Sequence, residues 1–157
     1  MGETSLGSMA TFTTVFLSST ARDLQSYRDA VAEAIRKLDG YHCVRMEDFG
    51  VRDGTPEEEV RAQVATCDVF VGLIGHLRLR DPEDYVWREL SSALRGGIPV
   101  LPVLVQGATM PDASELPEEL REVCRRNSIS IIDQLFDASI KLLTRAIREL
   151  PCRRAGG

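Results

Sequence analysis

The stretch Val69–Ile74 (VFVGLI) carries no charged or hydrogen-bonding side chain, and it constrains the fold more than any other segment. An uninterrupted apolar run of this kind suits a strand covered on both faces, as in a parallel sheet sheathed by helices. Comparable runs recur along the chain. Thr13–Leu17 (TTVFL) and Ile98–Val105 (IPVLPVLV) read as strands, with shorter ones at His42–Met46 and Ser128–Ile132. Amphipathic stretches separate them. Leu24, Tyr27, Val31, Ile35 and Leu38 recur at intervals of three and four, and Val60 and Val64 mark a second helix opened by Thr55, Pro56 and Glu58. Asp84–Arg95 reads as a third helix and Leu116–Arg126 as a short fourth, while Phe136, Ile140, Leu143, Ile147 and Leu150 line the last. Five strand–helix units in alternation imply an α/β protein with a five-stranded parallel sheet, strand order 2-1-3-4-5 and helices on both faces, a flavodoxin-like three-layer arrangement. Pro102 bears on that order. It has no N–H for a central ladder, so it needs a short neighbour on one side, and a brief fifth strand beside the fourth supplies one.

At 157 residues the chain has room for one such domain. Residues 1–11 are expected to be a disordered leader, 12–151 the folded domain and 152–157 a disordered tail. Nineteen basic against twenty-four acidic residues leave a net charge of −5, which argues against a nucleic-acid binder. Cys43, Cys67, Cys124 and Cys152 form no C-x-x-C pair, and His42 and His76 add no metal-ligand spacing. No metal or resident cofactor is expected, and the cysteines read as reduced thiols of a cytoplasmic protein. No apolar stretch approaches the ~20 residues that span a bilayer, so no membrane partner is expected.

Ligands of open α/β sheets bind outside the carboxyl ends of the strands. Three loops reach that place: Ser18–Asp23, Glu47–Thr55 and Gly75–Glu83. The cluster Ser18-Ser19-Thr20 is expected to cap the first helix, which would set hydroxyls and backbone N–H groups at a helix N-terminus suited to an anion or a ribose phosphate. Neither a G-x-G-x-x-G nor a P-loop pattern occurs. Within Asp84–Arg95, Glu89 falls at the edge of the stripe made by Val86, Leu90, Ala93 and Leu94. Periodicity leaves two readings open for it: a solvated or salt-bridged surface glutamate, or a carboxylate aimed at the strand ends.

In order and spacing, these residues resemble a known group. VFLSSTARDLQSYRDAVAEAI (15–35), MEDFG (46–50) and CDVFVGLIG (67–75) resemble the TIR-like DUF4062 family, and DYVWRELSSALRGGIPVLPVLVQGATMP (84–111), LPEEL (116–120) and RNSISI (126–131) resemble bacterial TIR domains. The segment Gly75-His76-Leu77-Arg78-Leu79 departs from the G-x-x-Y-G found in many DUF4062-like proteins. The resemblance implies a TIR fold in which Glu47–Thr55 corresponds to the BB loop. It implies further that Glu89, in Trp87-Arg88-Glu89-Leu90, matches the glutamate of W-x-x-E-L that cleaves the nicotinamide–ribose bond of NAD in the active members.

On that resemblance the chain is expected to be an NAD glycohydrolase that releases nicotinamide and ADP-ribose or a cyclic product, acting as an effector in bacterial anti-phage defence or signalling. Glu89 would be catalytic. Ser18, Ser19, Thr20, Arg22, Asp48 and Trp87 would bind substrate. NAD is then substrate, not cofactor, and the expected partners are other TIR domains, up to a filament or higher oligomer, and a possible separate sensor or further domains. Phe49 and Val51 in the BB loop are the expected contact between copies. Two alternatives stand beside this: a non-catalytic TIR adaptor, and an enzyme like the nucleoside 2-deoxyribosyltransferases, which also place a glutamate at a glycosidic carbon.

Overall fold

The computed structural model describes residues 12–19, 24–45, 57–75 and 85–150, with the side chains of residues 57 and 85–88 excepted. The expectations for the leader and tail, for the cap at Thr55 and for the loop Glu47–Thr55 lie outside these residues.

Five strands form one parallel sheet: β1 (Thr13–Ser19), β2 (Tyr41–Val44), β3 (Val69–Ile74), β4 (Val100–Leu104) and β5 (Ile129–Ser130), in the order β2-β1-β3-β4-β5. Four α-helices accompany them among the described residues: α1 (Gln25–Arg36), α2 (Glu57–Ala65), α3 (Tyr85–Arg95) and α4 (Phe136–Glu149). Every residue of β3 is buried, as its apolar run requires of a strand with a neighbour on each side and a helix layer on each face.

The two-residue pleat sorts side chains into two cores. Phe16, Phe70, Ile74, Val100 and Leu104 face Val60 and Val64 of α2 and Leu90 and Ala93 of α3. Val15, Leu17, Val71, Leu73, Leu101 and Val103 face the other way, onto Val31 and Ile35 of α1 and Leu143 and Ile147 of α4. The rings of Phe16 and Phe70 stack across β1 and β3, with centroids 5.5 Å apart and planes 7° from parallel. Asp68 fastens the amino end of the same pair. Its Oδ2 accepts from the Thr14 amide at 2.9 Å while its own amide donates to the Thr14 carbonyl at 2.8 Å.

Pro102 sits where its missing donor does least harm. The Phe70 amide donates to the Pro99 carbonyl and the Val105 amide to the Ile74 carbonyl, so odd-numbered residues of β4 bond β3. Alternation turns the Pro102 nitrogen toward β5, whose pairing with β4 begins only at Val103.

The fourth helix expected at Leu116–Arg126 is instead a 3-10 segment, Glu118–Arg125, and a shorter 3-10 segment, Ala113–Glu115, precedes it. Leu120 and Val123, three residues apart on one face of this winding, are both fully buried. A reciprocal cap between Asp112 and Glu115 opens the first segment.

Cys67, just before β3, is 1% exposed. Burial pushes its thiol up to about 11, with a contact to the Thr66 hydroxyl opposing and the Asp68 charge adding to the rise. Because the folded value lies above the ordinary 9.0, this preference stabilises the fold fully below pH 9 and is lost as pH climbs from 9 toward 11. At pH 8 a thiol reagent is therefore expected to modify Cys67 only as fast as the domain opens, read by mass spectrometry. Labelling as rapid as in urea would contradict this burial.

Candidate active site

β1 continues through Ser18 and Ser19, and the first α-helix begins only at Gln25, with Leu24 at the cap position and no side-chain cap bond. The expected cap at Ser18-Ser19 is thus corrected. A hydroxyl-rich strand end and a helix cap look alike in sequence, and here sheet pairing with Gly72 and Leu73 carries the strand further. The pleat then parts the two serines. Ser18 shares the face of Phe16, and Ser19 shares that of Leu17.

α3 lies over the Ser18 face. Glu89, Leu90, Ser91, Ser92 and Ala93 are all buried, more than a full turn of helix in succession. An amphipathic helix resting on a sheet hides one stripe; a helix buried this far round is hemmed in by neighbours, and α3 touches β1, β3, α2 and the 3-10 segment Glu118–Arg125. Ser91, Ser92 and Ala93 are small enough to permit that close approach.

Glu89 is 4% exposed and Ser18 is 3% exposed. The Ser18 hydroxyl donates to Glu89 Oε1 at 2.5 Å. A solvated surface glutamate is therefore excluded. The register aligns Ser18 with Gly72 of β3 on the same face, where a Cβ on Gly72 would stand 3.3 Å from the Phe70 ring. Taking a carboxylate out of water is costly unless donors meet it, and a charge-assisted hydrogen bond from a hydroxyl is among the stronger compensations. The outcome is a carboxylate held in a fixed direction in a largely water-excluded place near the carboxyl end of β1. Such a group can stabilise a positive charge that develops in a transition state.

Of the remaining expected site residues, Thr20, Arg22 and Asp48 lie outside the described residues. Trp87 contributes backbone to α3. Two features escaped the sequence reading. Ser92 follows Glu89 by one helical turn and its buried Oγ has no hydrogen-bond partner among the described residues; its signal was a pair of serines inside an apolar stripe. Gln106 closes a turn after β4, in which the Ala108 amide donates to the Val105 carbonyl at 3.0 Å. Gln106 has φ 58° and Gly107 φ 71°, the type I′ pattern. Its signal was a Gln-Gly pair after a strand, weaker than the usual Asn-Gly.

Residues 14–141 match the family described as "Domain of unknown function (DUF4062)". The chain belongs to the DUF4062 family. Solved structures extend the likeness to TIR folds. The TIR domains of the activated Roq1 resistosome match at a TM-score of 0.66 and 13% identity, covering 86% of this chain and 99% of that one. A prokaryotic SEFIR domain matches at 0.57 and 18% identity, over 88% of this chain and 94% of that one. A TIR-STING receptor from C. gigas matches at 0.53 and 17% identity, over 81% of this chain and 38% of that one. In sequence, "NAD(+) hydrolase sarm1" of Drosophila melanogaster is 34% identical over 68 residues, 43% of this chain. The matched region spans 5% of that relative's length. This is a TIR-like domain of flavodoxin-like fold.

The Ser18–Glu89 bond is expected to carry measurable energy. Ser18→Ala should lower stability by about 1.5–3 kcal/mol, the scale for a hydrogen bond to a charged group. A double-mutant cycle with Glu89→Ala, followed by urea unfolding, should give a coupling of at least about 1 kcal/mol. Additive effects would show that the contact is energetically idle.

Proposed function

We propose that this TIR-like domain cleaves the nicotinamide–ribose bond of NAD, with Glu89 as the catalytic carboxylate. The observation that carries the reading is the burial of Glu89 and its fixation by Ser18 near a strand carboxyl end. The similarity to a protein named as an NAD(+) hydrolase supports the choice of substrate.

The chemistry suits one carboxylate. Nicotinamide in NAD is cationic and departs neutral, taking the electron pair of the C1′–N bond, so no general acid is needed. Positive charge then spreads over the ribose C1′ and ring oxygen. The Glu89 carboxylate stabilises that charge, and its preset direction spares the reorganisation that water would require. Water adds at C1′ and loses a proton to solvent, giving ADP-ribose; an internal nucleophile in its place gives a cyclic product. Ser18 orients Glu89 in this scheme. Thr20, Arg22, Asp48 and Trp87 are proposed to hold the substrate. Ser19, turned to the opposite face, is left out of the set around Glu89.

Glu89→Gln is expected to keep the fold by circular dichroism and to lower NAD turnover at least ~100-fold, the usual loss for one electrostatic stabiliser, measured by chromatographic release of nicotinamide. Full activity in that variant would remove Glu89 from the mechanism. A wild type inactive at every concentration would leave the adaptor role as the better account, and base exchange between nucleosides without NAD loss would favour the deoxyribosyltransferase type.

We also propose that activity rises with self-association, through contacts that shift the population toward a competent pocket, and that the domain serves as an effector in defence signalling. The Roq1 and TIR-STING relatives are named as a resistosome and a receptor, which supports assembly as a mode of control. Specific activity is expected to climb with protein concentration and to fall to the dilute value in Phe49→Ala. A flat profile from an active monomer would refute the coupling.

A further inference from the structure

The strand starts on the β5 side of the sheet border a cavity of about 650 Å³, closed on another side by the end of α4. β4 starts at Val100 and β5 at Ile129, and the strands run parallel, so this cavity lies at the opposite end of the sheet from Ser18 and its partner Glu89. Pockets that take small ligands measure roughly 300–1,000 Å³, and this one falls within that range.

The fold lines it with two kinds of surface. Pro99, Leu101 and Ile129 at the strand starts, with Ala146 and Leu150 of α4, are apolar. The 3-10 segment Glu118–Arg125 ends at the cavity, and the chain crosses into β5 through Arg126, Asn127 and Ser128, which brings two guanidiniums to the same space.

Those guanidiniums are short of partners. One carboxylate, Glu122, is shared between them. Its oxygens lie 3.6 Å from Arg125 Nη1 and 4.0 Å from Arg126 Nε, both too far for a hydrogen bond. Arg126 Nε is buried and has no hydrogen-bond partner among the described residues. Glu149 also borders the cavity, but it accepts from Arg145 Nε at 3.3 Å and so has a cation of its own. The carboxyl end of α4 opposes an anion there. Against that, the Leu150 amide bonds the Ala146 and Ile147 carbonyls, and Arg148 sits in the same last turn. Two cations against one shared carboxylate leave positive charge beside an apolar wall.

We propose that this cavity is a second ligand site, which takes a phosphate monoester carrying a flat apolar group. Three phosphate oxygens and a double negative charge suit two planar guanidiniums, whereas one guanidinium already satisfies a carboxylate in bidentate fashion. A bare phosphate would leave the apolar wall in water, so the ligand must bring apolar surface of its own. The site requires nothing of the NAD reading, and either can fail without the other.

Phenyl phosphate is the probe, titrated into the isotope-labelled domain and followed by NMR. The amides of Asn127, Ser128 and Leu150 are expected to shift together, and those of Ser18 and Glu89 to stay in place. Inorganic phosphate should bind at least about tenfold more weakly, the scale of burying one aromatic ring. Arg125→Gln and Arg126→Gln should each weaken phenyl phosphate by about tenfold, the scale of a charge-assisted hydrogen bond. Arg125 is exposed, so its replacement keeps the test decisive should the half-buried Arg126 prove necessary for folding. Undiminished binding in both variants overturns the inference, as does an absence of shifts at Asn127 and Ser128 up to about 10 mM probe. Shifts at Ser18 and Glu89 alone would put the probe at the other end of the sheet and overturn it too. Benzoate binding as tightly as phenyl phosphate would overturn the choice of a phosphate, and inorganic phosphate binding equally would overturn the apolar half of the site.

Discussion

Two-sided burial of β1, β3 and β4 is the constraint on which the rest of this domain depends. Strands covered on both faces admit few polar side chains along their length, so chemistry is driven to where they end. The helices on each face must then supply apolar stripes broad enough to seal the sheet. α3 goes further than sealing. It sinks until Glu89 meets Ser18, one of the few polar side chains buried on a face of the sheet. The same packing that excludes water from the core therefore fixes the direction of a carboxylate.

That placement runs against stability. A buried carboxylate is an unfavourable choice for a helix whose only task is to pack, and an apolar residue of similar volume would cost the fold less. Ser18 recovers part of the penalty by donating. Two residues from two elements thus meet, each locally replaceable by a better core former. Such conflicts between local preference and observed residue gather at functional sites.

The sequence disclosed the architecture because period-two and near-four patterns report burial directly. VFVGLI could be little else than a central strand, and the need of Pro102 for a short neighbour followed from its missing N–H alone. The site was less legible. Periodicity set Glu89 at the border of a stripe, but depth depends on how closely a helix approaches, and that followed from Ser91, Ser92 and Ala93 acting together with the layers around them. Ser18 and Ser19 looked like a cap because hydroxyls serve both purposes, and only strand pairing decided between them. The φ of Gln106 left no trace beyond a glycine after it, since backbone strain is a property of the fold and not of composition.

The ends of the sheet carry a consequence for how such domains can meet. β2 has four residues and β5 two, so the outermost strands present only a few unpaired backbone groups. On the β5 side, Pro102 further removes a donor from the row that a longer strand would need. A sheet trimmed in this way is a poor template for adding strands from a second chain. Copies that gather must then meet through side chains on helices and loops, whose contacts can be undone by dilution or by a change of charge, and not through a backbone ladder that would fuse them.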